Sequence, residues 1–247
     1  MASFKNAAAA KDSQYRWMTV AGLTFGGVLA LATIGGFLFL FLGTRLYSIP
    51  SGSNAPTLLV GDKVLSSCYD TRCRQVHLPL PFELTFGEPE AGDMAIFHKP
   101  SDPQLDYVKR IIGMPGDEVQ LKGAILFING KPAPRLRIAN YVESGLNGQK
   151  VSIPQFQETL PNGVRYVVLS REPEGALENT GVFKVPPGHY FVLGDNRDNS
   201  SDSRDPNGGV GFVPRESMVA RARWVMFSTA LIGRMFIPVD LPAKPGN

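Results

Sequence analysis

Histidine and cysteine, which carry much of the metal and nucleophile chemistry of proteins, are scarce in this sequence: three and two residues among 247. His77, His98 and His189 lie far apart, and none has an adjacent acidic residue to orient it. A structural zinc site takes four ligands, and Cys68 and Cys73 supply only two. We therefore expect no metal and no other cofactor, and we favour a catalytic base other than histidine.

A large excess of charge of one sign is also absent. Lysine plus arginine number 25 and aspartate plus glutamate 22, which gives a net charge of +3 scattered along the chain. This mild balance gives no sign of a nucleic-acid-binding surface. Because 43% of the residues are hydrophobic and 19% are charged, most of the chain is expected to fold.

Charge of either sign is missing from residues 18–44, MTVAGLTFGGVLALATIGGFLFLFLGT. This run supplies the roughly 20 apolar positions that a helix needs to cross a bilayer. It exceeds the apolar core of about 7–15 residues that is typical of a cleavable export signal, and it has no polar stripe. We therefore predict an uncleaved transmembrane anchor.

The residues that flank this run set its orientation. Lys5, Lys11 and Arg16 precede it, whereas only Arg45 immediately follows it. The positive-inside rule then places the N-terminus in the cytoplasm and everything after Tyr47 outside. The predicted parts are a cytoplasmic tail (1–17), a transmembrane anchor (18–44) and an extracytoplasmic domain (45–247).

Beyond the anchor, short apolar runs alternate with turn signals, which indicates an all-β domain. Asn129-Gly130 favours a type I′ hairpin turn, because both residues accept positive φ angles. Residues 118–184 are more polar and richer in loops, as expected of an inserted subdomain. The C-terminal run WVMFSTALIGRMFIPV, residues 224–239, fits either core strands or a segment on the membrane surface, and we favour core strands.

The two cysteines lie close together in CYDTRC. Outside the cytoplasm, Cys68 and Cys73 could close a small disulfide loop, and the Asp-Thr pair between them suits a turn. Two free thiols are the alternative, and we favour the disulfide.

Two serines, Ser51 and Ser53, lie in a proline-framed turn just after the apolar run, SIPSGSNAPTLLVGDKVL. A serine becomes a nucleophile when a base removes its proton, and a lysine whose pKa is lowered by burial can be that base. Lys109, in LDYVKRIIG, is the candidate because in a strand it shares an apolar face with Tyr107 and Ile111. A lysine that extends its amine from a strand edge into solvent is an equal alternative on spacing alone.

The polar run GDNRDNSSDSRD spans residues 194–205. Such a run is usually a solvated turn. A calcium-binding loop fits poorly, because Arg197 stands where an oxygen ligand is required. A third interpretation is a loop that packs against an active site, held rigid by Asp–Arg pairs.

Four segments follow the anchor in a fixed order: IPSGSNAPTLLVGD, AGDMAIFHKP, DYVKRIIGMPGD and GHYFVLGDNRDNSSDSR. Together they resemble the type I signal peptidases (leader peptidases), which are membrane-anchored Ser-Lys proteases that remove signal peptides from exported proteins. The resemblance covers the anchor and nearly the whole ectodomain. It implies a β-rich catalytic core with a second β domain inserted at 118–184. It also implies an endopeptidase of the bacterial inner membrane, for which we favour a monomer. Its expected partners are the lipid bilayer and preproteins with small residues before the cut.

The resemblance also implies roles for individual residues. Ser53 matches the nucleophile and Lys109 the general base. Ser51 and the backbone N–H of Ser53 match the oxyanion hole, and Ser200 matches the serine that orients the lysine. We therefore expect the Lys109 amine in a largely apolar pocket, within hydrogen-bond reach of both Ser53 and Ser200. The structural loop of the family is matched by Asp195, Arg197, Asp202 and Arg204, with Arg110 as a salt-bridge partner.

One position departs from the family pattern. Methionine usually follows the nucleophile directly, and here the residue is Asn54. We expect its side chain near the substrate pockets, where it would bear on substrate preference.

The alternatives to a signal peptidase are a specialised peptidase of the same clan, serving conjugation or a single substrate, and a non-catalytic membrane-anchored binding protein. The apolar loop Val76–Phe86 is expected either at the lipid interface or in ordinary core and turn packing.

Overall fold

The computed structural model describes residues 24–37, 43–70, 73, 85–144, 149–171, 175 and 177–240. The chain divides into two units, residues 1–42 and 43–247. In the first unit, residues 24–37 form a helix with exposed apolar side chains. Within the described ranges, no helix is long and apolar enough to span a membrane. The predicted tail and parts of the predicted anchor (18–23 and 38–42) lie outside the described residues.

The second unit is β-rich, as predicted. Its strands are β1 (Thr44–Ser48), β2 (Asp62–Cys68), β3 (Met94–Lys99), β4 (Asp102–Gly113), β5 (Glu118–Lys122), β6 (Ile125–Ile128), β7 (Lys131–Pro132), β8 (Arg135–Arg137), β9 (Tyr141–Ser144), β10 (Lys150–Ile153), β11 (Gln155–Thr159), β12 (Arg165–Leu169), β13 (Phe183–Lys184), β14 (His189–Leu193), β15 (Val213–Pro214), β16 (Met218–Ser228) and β17 (Met235–Pro238).

An eight-stranded antiparallel sheet forms the frame, in the order β1-β2-β16-β3-β4-β14-β15, with β17 beside β16. Buried residues alternate with half-buried ones along β2, because one face of that strand packs on the core. β4 changes character along its length: its first five side chains are exposed and its last five are buried. Lys109 belongs to the buried half.

The segment between β4 and β14 forms smaller sheets of its own. Their orders are β13-β5-β6-β7, β12-β11-β8 and β10-β9. The Asn129-Gly130 turn joins β6 to β7 with positive φ at both residues, which confirms the predicted hairpin. Ile112 and Phe191 of the large sheet lie in one apolar cluster with Leu121 and Val168 of the small sheets. The insertion therefore shares its core with the main sheet.

The C-terminal apolar run forms the end of β16 and all of β17, as the expected core strands. Val225 in β16 and Val239 beyond β17 are buried. Several large apolar side chains are exposed, among them Trp224 and Phe227 of β16, Ile232 of the connecting turn and Phe236 of β17. The expected strands are therefore present, but core packing holds only for part of their side chains.

Cys68, at the end of β2, is joined to Cys73 by a disulfide. Both residues are buried in a cluster with Ile96 and Val219. The Arg45 guanidinium of β1 donates to the backbone oxygen of Cys73 at 2.7 Å, which ties the loop to the sheet edge. Most of the apolar loop Val76–Phe86 lies outside the described residues.

Candidate active site

The turn between β1 and β2 carries Ser53, which is 8% exposed. The polar loop that follows β14 holds this turn in place. Asn196 donates its backbone N–H to the Ser53 oxygen at 3.0 Å and its side-chain amide to the Gly52 oxygen at 3.1 Å. Ser53 is therefore presented by a turn whose backbone is fixed from outside.

Lys109 lies in β4, opposite Ala95 of β3, and is 3% exposed. Its Nζ lies 2.6 Å from Ser53 Oγ, to which the charged amine donates a hydrogen bond. In the neutral amine the Ser53 hydroxyl can donate instead, because Nζ then carries a lone pair. The structure thus brings together the two residues that the sequence named as nucleophile and base.

Burial lowers the pKa of Lys109 from its usual 10.5 to about 8, because the enclosed amine loses the hydration that stabilises its charge. The carboxylates of Asp202 and Asp195 act in the opposite direction, and the Arg204 guanidinium assists burial. A buried amine with a pKa of about 8 can give up its proton near neutral pH.

Ser51 and Ser200 lie on either side of this pair. Ser51 Oγ lies 3.4 Å from Ser53 Oγ, and its side chain is exposed. Ser200 Oγ is buried, and the expected hydrogen bond to Lys109 is not formed. The Ser200 hydroxyl lies beside the Asp202 carboxylate and helps to lower its pKa.

Asn54 points away from solvent. Its side chain is fully buried, and Nδ2 donates to the backbone oxygen of Val108 in β4 at 2.8 Å. The residue next to the nucleophile is thereby connected to the residue next to Lys109.

Buried ion pairs hold the loop over residues 194–205 against the sheet. Arg110 binds Asp195 through two hydrogen bonds of 2.8 and 2.7 Å. Arg204 binds Asp202 in the same two-pronged way, at 2.9 Å for both contacts. Although burial raises the pKa of Asp202, the Arg204 charge holds it below its usual range. Such pairs need complete hydrogen bonding to offset the loss of hydration.

The insertion supplies acidic partners for two loop arginines. Arg197 donates to Glu158 of β11 at 2.5 Å, and Tyr166 of β12 donates to the same carboxylate at 2.9 Å. Arg204 donates to Glu178 at 2.7 Å. All five residues predicted for the structural loop are therefore buried in one charged network.

Sequence reasoning missed several residues of this network: Glu158, Glu178, Tyr166, Asn196 and Thr57. Asn196 lies inside the polar run, and nothing in the sequence indicated its hydrogen bonds to the turn that carries Ser53. Thr57 donates to Asp195 at 2.5 Å from the other side of the turn. Thr57 and Asn196 lie more than 100 residues from their partners, and Glu158, Tyr166 and Glu178 lie 39, 31 and 26 residues from theirs. No local spacing pattern could reveal these contacts.

The two described histidines make no hydrogen bond to Ser53 or Lys109. His98 bonds to Asp106 at 2.8 Å near the outer half of β4, and His189 bonds to the backbone oxygen of Pro187. His77 lies outside the described residues. Among the residues described, no group of three or more His, Cys, Asp or Glu side chains could hold a metal ion.

Several known proteins are similar to this chain. The family model described as signal peptidase, peptidase S26, matches residues 17–227. Signal peptidase I of Rickettsia typhi is 38% identical over 199 residues, covering 75% of this chain and 72% of that protein. Signal peptidase I of Rickettsia prowazekii is 37% identical over 200 residues with the same coverage. A crystal structure of signal peptidase I from Enterococcus faecalis V583 matches with 26% identity and a TM-score of 0.32, covering 54% of this chain and 96% of that one.

Proposed function

This chain belongs to the peptidase S26 family of signal peptidases, and we propose that Ser53 and Lys109 are its nucleophile and general base. Family membership makes the protein a serine endopeptidase that removes signal peptides. The residue roles rest on one observation above all, the 2.6 Å contact between Lys109 Nζ and Ser53 Oγ in a buried setting.

Acylation begins when neutral Lys109 accepts the Ser53 proton while Oγ bonds to the carbonyl carbon at the end of the signal peptide. A pKa of about 8 supports this role, because a base works best when its pKa is near the operating pH. The protonated amine then gives its proton to the leaving nitrogen as the C–N bond breaks. The mature protein departs, and the signal peptide remains as an ester on Ser53.

The carbonyl oxygen gains negative charge while the tetrahedral intermediate forms. We assign its stabilisation to the backbone N–H of Ser53 and the hydroxyl of Ser51. The 3.4 Å between the two serine hydroxyl oxygens supports this role, because Ser51 stands beside the attacking atom. Each preorganised donor of this kind typically contributes about 10²–10³ in rate.

Deacylation repeats the chemistry with water. Lys109 accepts a proton from a water molecule whose oxygen attacks the ester carbon. The bond from that carbon to Ser53 Oγ breaks, Oγ recovers the proton from Lys109, and the signal peptide leaves as a carboxylic acid that then releases its proton to water. Both half-reactions therefore use one base.

The exposed half of β4 supports an extended substrate. In the described sheet, β14 pairs with β4 only from Arg110 to Gly113. The same edge of β4 is therefore open over its preceding residues, and a peptide can add there as a further strand. We propose that preproteins bind in this way, with small side chains before the cut, as in Ala-x-Ala.

We place the catalytic unit outside the cytoplasmic membrane of a bacterial cell. The uncharged run over residues 18–44 and the basic residues before it support a single-pass anchor with its N-terminus in the cytoplasm. The Cys68–Cys73 disulfide is typical of an oxidising compartment. The sheets formed between β4 and β14 support an inserted subdomain at 118–184.

The test is cleavage of a preprotein by the purified full chain in detergent. We expect Ser53→Ala and Lys109→Ala to lower the rate by about 10³-fold or more, because nucleophile and base act as a unit. Lys63→Ala is a matched control, since Lys63 Nζ also bonds to a serine, Ser48, at 2.5 Å but at the surface. It should cleave like the wild type.

Three results would contradict the proposal: an inactive wild type, full activity in either site variant, or equal loss in the Lys63 control. Cleavage of a single preprotein from a broad panel would instead favour the specialised peptidase of the same clan.

A further inference from the structure

The side chain that follows the nucleophile makes a connection that the mechanism above does not use. Asn54 is fully buried, and its Nδ2 donates to the Val108 backbone oxygen at 2.8 Å. Val108 immediately precedes Lys109 in β4. One side chain thus joins the residue beside the nucleophile to the residue beside the base.

The chemistry of the amide fixes its orientation. A backbone carbonyl oxygen only accepts hydrogen bonds, so the nitrogen of Asn54 must face Val108 and Oδ1 must point away. That oxygen has no hydrogen-bond partner among the described residues. A buried acceptor left unpaired is unfavourable, whereas an apolar side chain of the same size would carry no such penalty. Packing alone therefore does not account for asparagine here.

Other hydrogen bonds join the turn to the loop after β14, including one from Thr57 to Asp195. Asn196 holds the backbone oxygens of Gly52 and Ser53 from the loop after β14. In the described residues, the Asn54–Val108 contact is the direct hydrogen bond between the turn and β4 apart from the reacting pair itself. This contact is therefore placed to set how far Ser53 lies from Lys109.

We propose that Asn54 is a positioning residue, whose amide ties the nucleophile turn to β4 and so fixes the separation between Ser53 Oγ and Lys109 Nζ. This inference rests on the proposed function. A displacement of about 1 Å between reacting groups can lower a rate about 100-fold. The bond lies between two elements of the enzyme, so it acts on kcat and leaves KM nearly unchanged.

Two substitutions test the amide. Asn54→Leu keeps the size but removes the donor, and kcat should fall about 10- to 100-fold with little change in KM. Asn54→Asp keeps the shape and, once ionised, lacks the donor and carries a negative charge on the residue next to Ser53. Its kcat should also fall, and the acidic limb of its pH–rate profile should move up by about one pH unit, because a nearby carboxylate favours the protonated lysine.

Ser66→Ala is the matched control. Ser66 is equally buried and also bonds its side chain to a backbone oxygen, that of Arg45 at 2.8 Å, in the β1–β2 pair. This variant should lose comparable thermal stability while keeping the wild-type kcat and pH profile.

The outcomes separate the inference from the function on which it rests. An inactive wild type, or an active Ser53→Ala variant, overturns the proposed function. If the wild type cleaves and Ser53→Ala does not, then a wild-type kcat in Asn54→Leu overturns the positioning role alone, as does an equal loss of kcat in Ser66→Ala. Should Asn54→Leu fail to unfold cooperatively, the Asn54→Asp profile decides: a wild-type kcat with an unshifted acidic limb overturns the inference.

Discussion

At the scale of single residues, burial distinguishes Lys109 from the other lysine that contacts a serine. Lys63 and Ser48 make a hydrogen bond of similar length, 2.5 Å, at the surface. Lys109 is 3% exposed, and this burial is the main cause of its lowered pKa. A hydrogen bond between lysine and serine at the surface is therefore not enough to make a catalytic pair. The same bond can do so when the amine is shielded from water, because burial lowers the pKa of the lysine.

Gly194 leads to a prediction at this scale. An added Cβ would lie 2.5 Å from the Ser53 backbone oxygen and 2.6 Å from the Ser200 Cβ, closer than real contacts allow. Gly194→Ala should displace the nucleophile turn, lowering kcat about 10- to 100-fold and stability by about 1–3 kcal/mol. Steady-state kinetics and thermal unfolding measure the two effects.

Gly181→Ala is the control, because an added Cβ there meets nothing within 4 Å and the backbone carries no positive φ. It should behave like the wild type. A Gly194→Ala variant with unchanged kcat would show that Ser53 is held independently of this packing.

Residue-level reasoning from the sequence named Ser53 and Lys109, which the structure places 2.6 Å apart, but not their surroundings. Strand alternation placed Lys109 on the face of Tyr107 and Ile111, and family resemblance paired it with Ser53. The expected hydrogen bond between Ser200 and Lys109 is not formed, and the Ser200 hydroxyl lies beside Asp202. Asn54, expected at the substrate pockets, turns inward to Val108. Side-chain direction depends on three-dimensional neighbours that a linear pattern does not contain.

At the scale of elements, the loop over residues 194–205 is held by charge rather than by regular strand pairing. The Arg110–Asp195 pair is almost completely buried, 1% exposed on each side chain. Asp195 also accepts a hydrogen bond from Thr57 of the nucleophile turn. One carboxylate therefore connects β4, the loop and the turn.

We expect Asp195→Asn to destabilise the protein by about 3–5 kcal/mol, because it leaves the Arg110 charge buried without an acidic partner. Urea unfolding measures the free energy of unfolding. Glu118→Gln is the control: it removes an ion pair with Lys184 whose side chains are 46% and 79% exposed, and it should change stability by less than about 1 kcal/mol. Equal effects in the two variants would contradict the structural role of the buried pair.

Local elements were more predictable than their assembly. The Asn129-Gly130 hairpin followed from turn chemistry, since both residues take positive φ. β16 lies between β2 and β3 in the sheet. The sequence did not indicate this position, because β16 is more than 100 residues from either strand. Glu158 lies 39 residues from Arg197, on β11 of a smaller sheet, and no sequence pattern indicated their contact.

At the scale of the whole molecule, the environment of Lys109 is assembled from distant parts of the chain. Ser53 comes from the first turn of the second unit, while Asp195, Asp202 and Arg204 come from a loop near the end. The sheet encloses the Lys109 amine, and the two aspartates of the loop limit how far the pKa of Lys109 falls. Most of the predicted anchor (18–44) lies in the other unit, whereas its last two residues lie in the second unit, where Thr44 begins β1. The prediction of the anchor rests on sequence composition.

The pH dependence of kcat/KM on a preprotein substrate tests the central claim most directly. Below its pKa, Lys109 is protonated and cannot accept the Ser53 proton, so activity is lost as pH falls through that value. We predict an acidic limb with a midpoint at about 8, with kcat/KM falling about tenfold per pH unit below it. A midpoint near 6.5, as for an ordinary histidine, or a rate that stays flat into acid, would contradict a lysine base.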